Sequence, residues 1–440
     1  MTPTCANPRA APPPKAKPTF RGLLVATGGV LIAVELELEL ELELELEVVV
    51  VVAVRVAQPL KKKIAHSPKQ IRTIRICVNI RLSLIFKVLI NMFQKAPLFA
   101  ALAFAAVAGV GTATAQEQVL NLYSARHYST DEALYSNFTK ATGIKINRVD
   151  SDDAGILARL KAEGTASPAD VIMLVDVARL WRGDIDGLFM PIKSALLEKA
   201  IPAPLRAKPT PEGTTWFGFS TRARVMVYDK ARVKKTDIDT YEELGDAKNK
   251  GLLCTRSGSH PYNLSLFGAV AEHIGAAKTE VWLKGMVDNM ARPPKGGDTD
   301  QIRAVAAGEC GIAVTNTYYL ARLMRSDKPE DKAVVDKVAV VFPNQNSWGT
   351  HMNISGAALA KNAKNTANAI KFMEYLASPA AQDYFADGNN EYPTAVGVKL
   401  NNPTLTAMSG GSYKQEALPA VTIGASQVKI QQMLDRVGYK

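Results

Sequence analysis

Histidine and cysteine are scarce in this chain, five and four among 440 residues. No H-E-x-x-H, C-x-x-C or G-x-S-x-G occurs, which leaves zinc-protease, dithiol-redox and serine-hydrolase centres without support. An excess of one charge is also missing where it would matter. The nominal net charge is +11, but of the 53 Lys/Arg and 42 Asp/Glu only 39 and 35 lie beyond residue 115, a net +4 with no basic run. A nucleic-acid or anionic-membrane partner therefore finds no electrostatic footprint in that region.

The first 115 residues do not read as a folded domain. "ELELELELELELE" (35–47) runs into "VVVVVAV", a low-complexity block without neighbouring strands or turn signals. Met92 then opens a second apparent start. Lys95 supplies a charged n-region, Leu98–Val110 an apolar stretch too short to span a bilayer, and Ala113-Thr114-Ala115 an A-x-A cleavage box. The expectation is that 1–91 is a spurious or disordered extension, that 92–115 is a secretory signal peptide, and that the mature chain begins near Gln116. Its two cysteines, Cys254 and Cys310, suggest a disulfide in an oxidising compartment, with two buried thiols as the alternative.

Beyond Gln116, short apolar runs alternate with helical periods, the pattern of α/β layers. "VLNLYSA" reads as a strand, and "STDEALYSNFTKATG" as a helix with Ser129 and Glu132 at capping-box spacing. "KINRV", "AGILARLKAEG" and "ADVIMLVD" continue the rhythm. "TWFGFSTRARVMVYDK" (215–230) breaks it with a long extended stretch. A second series follows through "GLLCTR", a helix from Tyr262, "TDQIRAVAAGEC" and "GIAVT", and "GTHMNISGAALAK" is extended again. The pattern predicts two α/β lobes: 116–217, 218–347 with the first crossover, and 348–440 returning mainly to the first lobe. The crossovers fall near Gly218–Tyr228 and Trp348–Ile354, and such lobes close on a ligand by rotation.

Open α/β sheets bind ligands at the carboxyl ends of strands. Three such junctions carry phenols: His127 and Tyr128 in "YSARHYSTD", Tyr262 (with His260 nearby) in "TRSGSHPYNLS", and Tyr318 with Tyr319 in "NTYYLAR". A phenol with a free pKa of about 10 does not ionise by itself at neutral pH, but a highly charged cation reverses that preference. Zinc or copper would favour His and Cys, and calcium or magnesium carboxylates and carbonyls. Several phenols with one imidazole suit a hard trivalent ion, Fe3+ being the obvious candidate. Tyrosines are also common amphipathic core residues, so a structural role for each remains the competing reading.

"YSARHYSTDEAL", "SPADVIMLVDVARLWR", "CTRSGSHPYNLSL", "NTYYLAR", "GTHMNISGAALAKNAKN" and "GNNEYP" together resemble the ferric-iron substrate-binding proteins of bacterial ABC importers, over about Gln118–Lys440. The resemblance implies a two-lobed periplasmic binding protein fold of type II, hinged by extended crossover strands. It implies a periplasmic, non-enzymatic, monomeric carrier that hands Fe3+ to a permease and its ATPase. The implied metal ligands are His127, Tyr128, Tyr262, Tyr318 and Tyr319. Arg222 or Arg224 in "STRAR" would hold a synergistic anion such as carbonate, or else brace the hinge. "SGSHPYN" departs from the Ser/Asn-rich run usual in relatives, and Pro261 biases His260 away from helix. Under the same resemblance, a Cys254–Cys310 disulfide would fasten the elements carrying Tyr262 and Tyr318. The rivals are a binding protein for an organic anion or polyamine, and a periplasmic Tyr/His iron enzyme. N-terminal sequencing of secreted protein is expected to begin at Gln116, and a start before Met92 would refute the reading of the leader.

Overall fold

The chain alternates between extended runs and helices because apolar residues switch from a period of two to a period of 3.6. In a computed structural model, residues 118–126 and 128–440 are described. The expectations for 1–91 and 92–115, and the position of His127, lie outside the described residues.

The first elements are β1 (Val119–Ser124), α1 (Asp131–Thr142), β2 (Lys145–Asp150), α2 (Asp153–Glu163), β3 (Val171–Leu174) and α3 (Val177–Ile185). The side chains of Asp152 and Asp176 cap α2 and α3 by accepting the Gly155 and Ala178 backbone N–H groups. β4 (Phe189–Met190) and α4 (Ala195–Ala200) lead to the 14-residue β5 (Trp216–Asp229). Next come β6 (Leu253–Cys254), α5 (Pro261–Ile274), α6 (Ala276–Asp288), α7 (Asp298–Ala306), β7 (Ile312–Asn316) and α8 (Thr317–Met324). The chain continues through α9 (Pro329–Lys337), β8 (Val338–Val341), β9 (Met352–Ala360), α10 (Thr366–Leu376), α11 (Pro379–Asn389) and β10 (Tyr392–Pro393). It closes with α12 (Pro403–Ser409), α13 (Ala420–Ala425) and α14 (Gln427–Val437).

The strands form one path, β2-β1-β3-β9-β5-β7-β6, with β10 and β8 on β5 and β4 on β9. β5 is long enough to serve two neighbourhoods. Trp216–Ala223 pair with β9, whereas Arg224–Tyr228 pair with β7 and Met226–Asp229 with β8. Along β3 the side chains alternate between cores, Val171 and Met173 in one and Ile172 and Leu174 in the other. Beyond Arg224, β5 does the same for a second pair of cores, Val225 and Val227 against one and Met226 against the other. Each half of the path is thus covered on both faces, as its near-continuous apolar strands require. Among the described residues, no helix is long and apolar enough to cross a membrane.

Two local expectations fail. The Ser129–Glu132 capping box does not form: α1 starts at Asp131, and its N-cap Thr130 makes no side-chain cap bond. Tertiary partners win instead, because the Thr130 hydroxyl donates to Asn389 Oδ1 and Glu132 pairs with Arg148 at 2.7 Å. "GLLCTR" supplies only the two-residue β6, since Thr255 is already bonded to the Tyr439 hydroxyl at 2.6 Å and Arg256 to Asp298.

β6 and β7 run parallel, with Cys254 opposite Ala313. This brings Cys254 and Cys310 to a Cα–Cα distance of 5.8 Å, where they form a disulfide across 56 residues of sequence. Closing a loop of that size removes chain entropy from the unfolded state. Cys310→Ser is expected to lower unfolding free energy by about 2–4 kcal/mol in denaturant titrations, and thiol titration of the unfolded, unreduced mature protein should find neither cysteine free.

Candidate metal centre

Backbone geometry brings each phenol to a strand or helix end. Tyr128 follows β1 in a loop pinned by Arg126, whose guanidinium donates to both Asp131 oxygens at 2.7 and 3.1 Å. Tyr262 is the second residue of α5. Pro261 occupies the first turn and His260 the N-cap, where its Nδ1 accepts the Tyr262 N–H at 3.2 Å. The departure at "SHPYN" therefore builds a helix cap. α8 begins directly where β7 ends, so Tyr318 and Tyr319 are its second and third residues.

The three junctions meet. The Tyr262 and Tyr318 hydroxyls share a hydrogen bond at 3.1 Å. The Tyr128 ring stands edge-on to Tyr318 with centroids 5.4 Å apart, and Tyr319 lies against Tyr318 at 4.2 Å. Tyr318, Tyr262 and Tyr128 are 0%, 4% and 7% exposed, and Tyr319 is half-buried. Tyr318 and Tyr319 thus differ in exposure yet pack ring against ring in one cluster. His127 lies outside the described residues. A cavity of about 290 Å³ lined by Thr221, Asn353, Tyr392 and Leu418 contains none of these phenols.

Guanidinium groups surround the rings. Arg126 lies 4.6 Å from the Tyr128 centroid, and Arg256, Arg222 and Arg224 lie 5.0, 5.3 and 5.8 Å from that of Tyr262. Arg322, one turn after Tyr318, is 5.7 to 5.9 Å from Tyr128, Tyr318 and Tyr319. Burial pushes all four phenols above their ordinary value, and neighbouring phenols or Glu391 add to the rise. Arg126 opposes it at Tyr128, Arg222 at Tyr262 and Tyr318, and Arg256 at Tyr319. Without a cation the cluster is a set of neutral phenols. The surrounding guanidinium groups supply counter-charge for any phenolate formed in this cluster. Among the described residues, no group of three His, Cys, Asp or Glu side chains converges as metal ligands.

The two candidate anion-site arginines differ. Arg224 is committed to Asp298, to Asn316 Oδ1 at 3.1 Å and to Asn263 Oδ1 at 2.9 Å, which clamps the starts of α5, α7 and α8 together. Arg222 donates from Nη1 to Ser355 Oγ at 3.1 Å, while its Nε and Nη2 have no hydrogen-bond partner among the described residues although they are buried. Sequence reasoning missed Arg126, Arg256, Arg322, Asp298 and Glu391. Only Arg322 left a usable trace, four residues after Tyr318 and so on the same helical face. Glu391 sits in "GNNEYP" without a neighbouring charge to mark it.

Two α/β layers sharing long extended strands, with a buried donor cluster at strand ends, define the class as a solute-binding protein. Residues 133–409 match the family described as bacterial extracellular solute-binding protein, and the chain belongs to that family. It is 44% identical over 325 residues to iron uptake protein A1 of Synechocystis sp., covering 74% of this chain and 88% of that protein. Among solved structures it resembles Trichodesmium FutA (IdiA) in complex with iron and citrate ligands, at 49% identity and a TM-score of 0.68, covering 73% of this chain and 100% of that one. It also resembles the ferric binding protein from Campylobacter jejuni, at 37% identity and a TM-score of 0.69, over 73% of this chain and all of the other. The fold is the two-lobed, type II periplasmic binding protein fold.

Arg224→Met would strand the fully buried Asp298 beside Arg256 alone. Breaking a buried ion pair from one side costs about 3–5 kcal/mol. Chemical denaturation of the variant should show a loss of that size.

Proposed function

We infer that this chain is a non-enzymatic ferric-iron-binding protein that captures Fe3+ between its lobes and delivers it to an ABC importer. The observation that carries this is the convergence of Tyr128, Tyr262, Tyr318 and Tyr319, from three separate junctions, inside a ring of guanidinium groups. Hard phenolate oxygens match a trivalent ion, and the scarcity of His and Cys matches no softer metal. The relatives named above are iron uptake and ferric binding proteins, one solved with iron and citrate.

The proposed ligands are the four tyrosines with His127. Burial keeps the phenols protonated at neutral pH, so each one that binds the ion releases a proton, which passes to water. Arg222 is the proposed seat of a synergistic anion, carbonate or a small carboxylate, supported by its two unpartnered buried donors. Arg224 braces the loops. The lobes are proposed as 116–217 with the return segment 348–440, and 218–347, joined through β5 and through Trp348–Ile354. Export by the 92–115 signal peptide would place a monomeric carrier in the periplasm beside its permease and ATPase.

Ferric citrate added to the secreted protein is expected to produce a visible phenolate charge-transfer band with one ion per chain. Tyr318→Phe and Tyr262→Phe should each lose most of that absorbance while remaining folded, since only an oxygen is removed. Apparent affinity should rise with pH by about tenfold per unit for every proton displaced. Full colour in both variants would refute the ligand set, and a colourless wild type would favour an organic cargo.

A further inference from the structure

The loop between β6 and α5, residues 255–260, carries Arg256 and leads directly to Tyr262. Asn263 holds it from one side, its Nδ2 donating to the Arg256 and Ser257 carbonyls at 3.0 Å each. The second anchor is Tyr439, 184 positions from Thr255 in sequence. α14 packs Ile430, Met433 and Leu434 into the core that also contains Phe267 of α5. Its C-cap, Gly438, has a φ of 71°, the left-handed turn that takes the chain off the helix. Tyr439 follows, 4% exposed, with its ring 5.4 Å from that of Phe267. The Lys440 carbonyl accepts the Gly258 N–H at 2.8 Å, and a Cβ on Gly258 would come within 2.8 Å of the Tyr439 ring.

The direction of the hydroxyl bonds is fixed. Thr255 Oγ1 donates its proton to the Arg256 carbonyl at 2.9 Å, so in the 2.6 Å contact with Tyr439 the phenol donates and Thr255 accepts. Burial pushes the Tyr439 phenol above its ordinary value, which keeps that proton in place. The Arg256 carbonyl therefore accepts from both Thr255 and Asn263. The Arg256 guanidinium stands 5.0 Å from the Tyr262 centroid and 3.3 Å from Asp298. Asn263, the neighbour of Tyr262, accepts from Arg224 at 2.9 Å.

We propose that Tyr439 is a positioning residue for the metal centre: through Thr255 Oγ1, its hydroxyl sets the loop that places Tyr262 and Arg256. The inference rests on the ferric-iron reading above and adds to it a contact outside the ligands. A buried tyrosine hydroxyl usually finds some partner. Here the ring already packs against Phe267, and the hydroxyl reaches the first residue of the loop before Tyr262. Removing the oxygen alone thus leaves the core filled and Thr255 Oγ1 without its donor.

The test uses Tyr439→Phe, Thr255→Val and Thr255→Ser in the secreted protein. Tyr375→Phe is the control, because it deletes a hydroxyl bond to the Leu134 carbonyl in another core. Ferric titration reads stoichiometry, affinity and the position of the visible band. Tyr439→Phe and Thr255→Val are expected to take one ion per chain about five- to tenfold more weakly than wild type, as the loss of one buried hydrogen bond implies. Their band maximum should also shift, because the Tyr262 oxygen meets the ion at another angle. Thr255→Ser keeps the acceptor and should match wild type, as should Tyr375→Phe. Thr255→Val serves if Tyr439→Phe does not fold. The double variant Tyr439→Phe/Thr255→Val should bind no more weakly than Thr255→Val alone, since both act through one bond. Wild-type affinity and band in Tyr439→Phe and Thr255→Val overturn the proposal. An equal loss in Thr255→Ser or Tyr375→Phe overturns it as well, since the effect would then not depend on this hydroxyl pair. Hydrogen exchange on the metal-free protein reads the same bond without iron. Amides of residues 257–263 should exchange faster in Tyr439→Phe than in wild type, and unchanged protection there overturns the proposal. A wild type that takes no iron overturns the ferric reading alone, and the exchange result then decides whether Tyr439 places the loop.

Discussion

A phenol buried beside other phenols resists ionisation, and everything at this centre follows from that resistance. Removing water from Tyr128, Tyr262, Tyr318 and Tyr319 raises the cost of a phenolate at each. The surrounding guanidinium groups lower that cost without removing it, and they repel a bare cation. Only a species that carries enough charge to displace protons is stabilised there. In the proposed function, selectivity for a hard trivalent ion rests on desolvation and counter-charge together, beyond the identity of the ligating atoms.

β5 makes this convergence possible. It leaves one sheet neighbourhood and enters another within a single strand, carrying Ser220, Arg222 and Arg224 past the cluster. Arg224 and Asp298 then tie the starts of α5, α7 and α8 together, and the Cys254–Cys310 bridge ties β6 to the turn before β7. The loop after β1 holds Tyr128 through Arg126, Asp131 and Glu391. One side of the centre is rigidly assembled from several elements, and the other is a single loop.

Much of the fold was legible in the amino-acid order, because its signals are local. Alternation in "KINRV", the uninterrupted extended run of 215–230 and the helical period after Tyr262 depend on neighbours a few residues away. The capping box at Ser129 shows where such reading stops: Thr130 and Glu132 found partners in α11 and at Arg148, and no local rule weighs those. The brief β6 has the same cause.

At the centre, residue type and junction spacing by themselves determined which tyrosines were candidates and why a hard cation suits them. Tertiary structure alone decided that Tyr262 and Tyr318 touch, that Arg224 donates to Asp298, Asn316 and Asn263 while Arg222 donates to Ser355 alone among the described residues, and that Glu391 joins the cluster. The physical reason is sequence distance. Tyr128 and Glu391 are separated by 263 positions, and only the order of strands in the sheet brings them within a hydrogen bond.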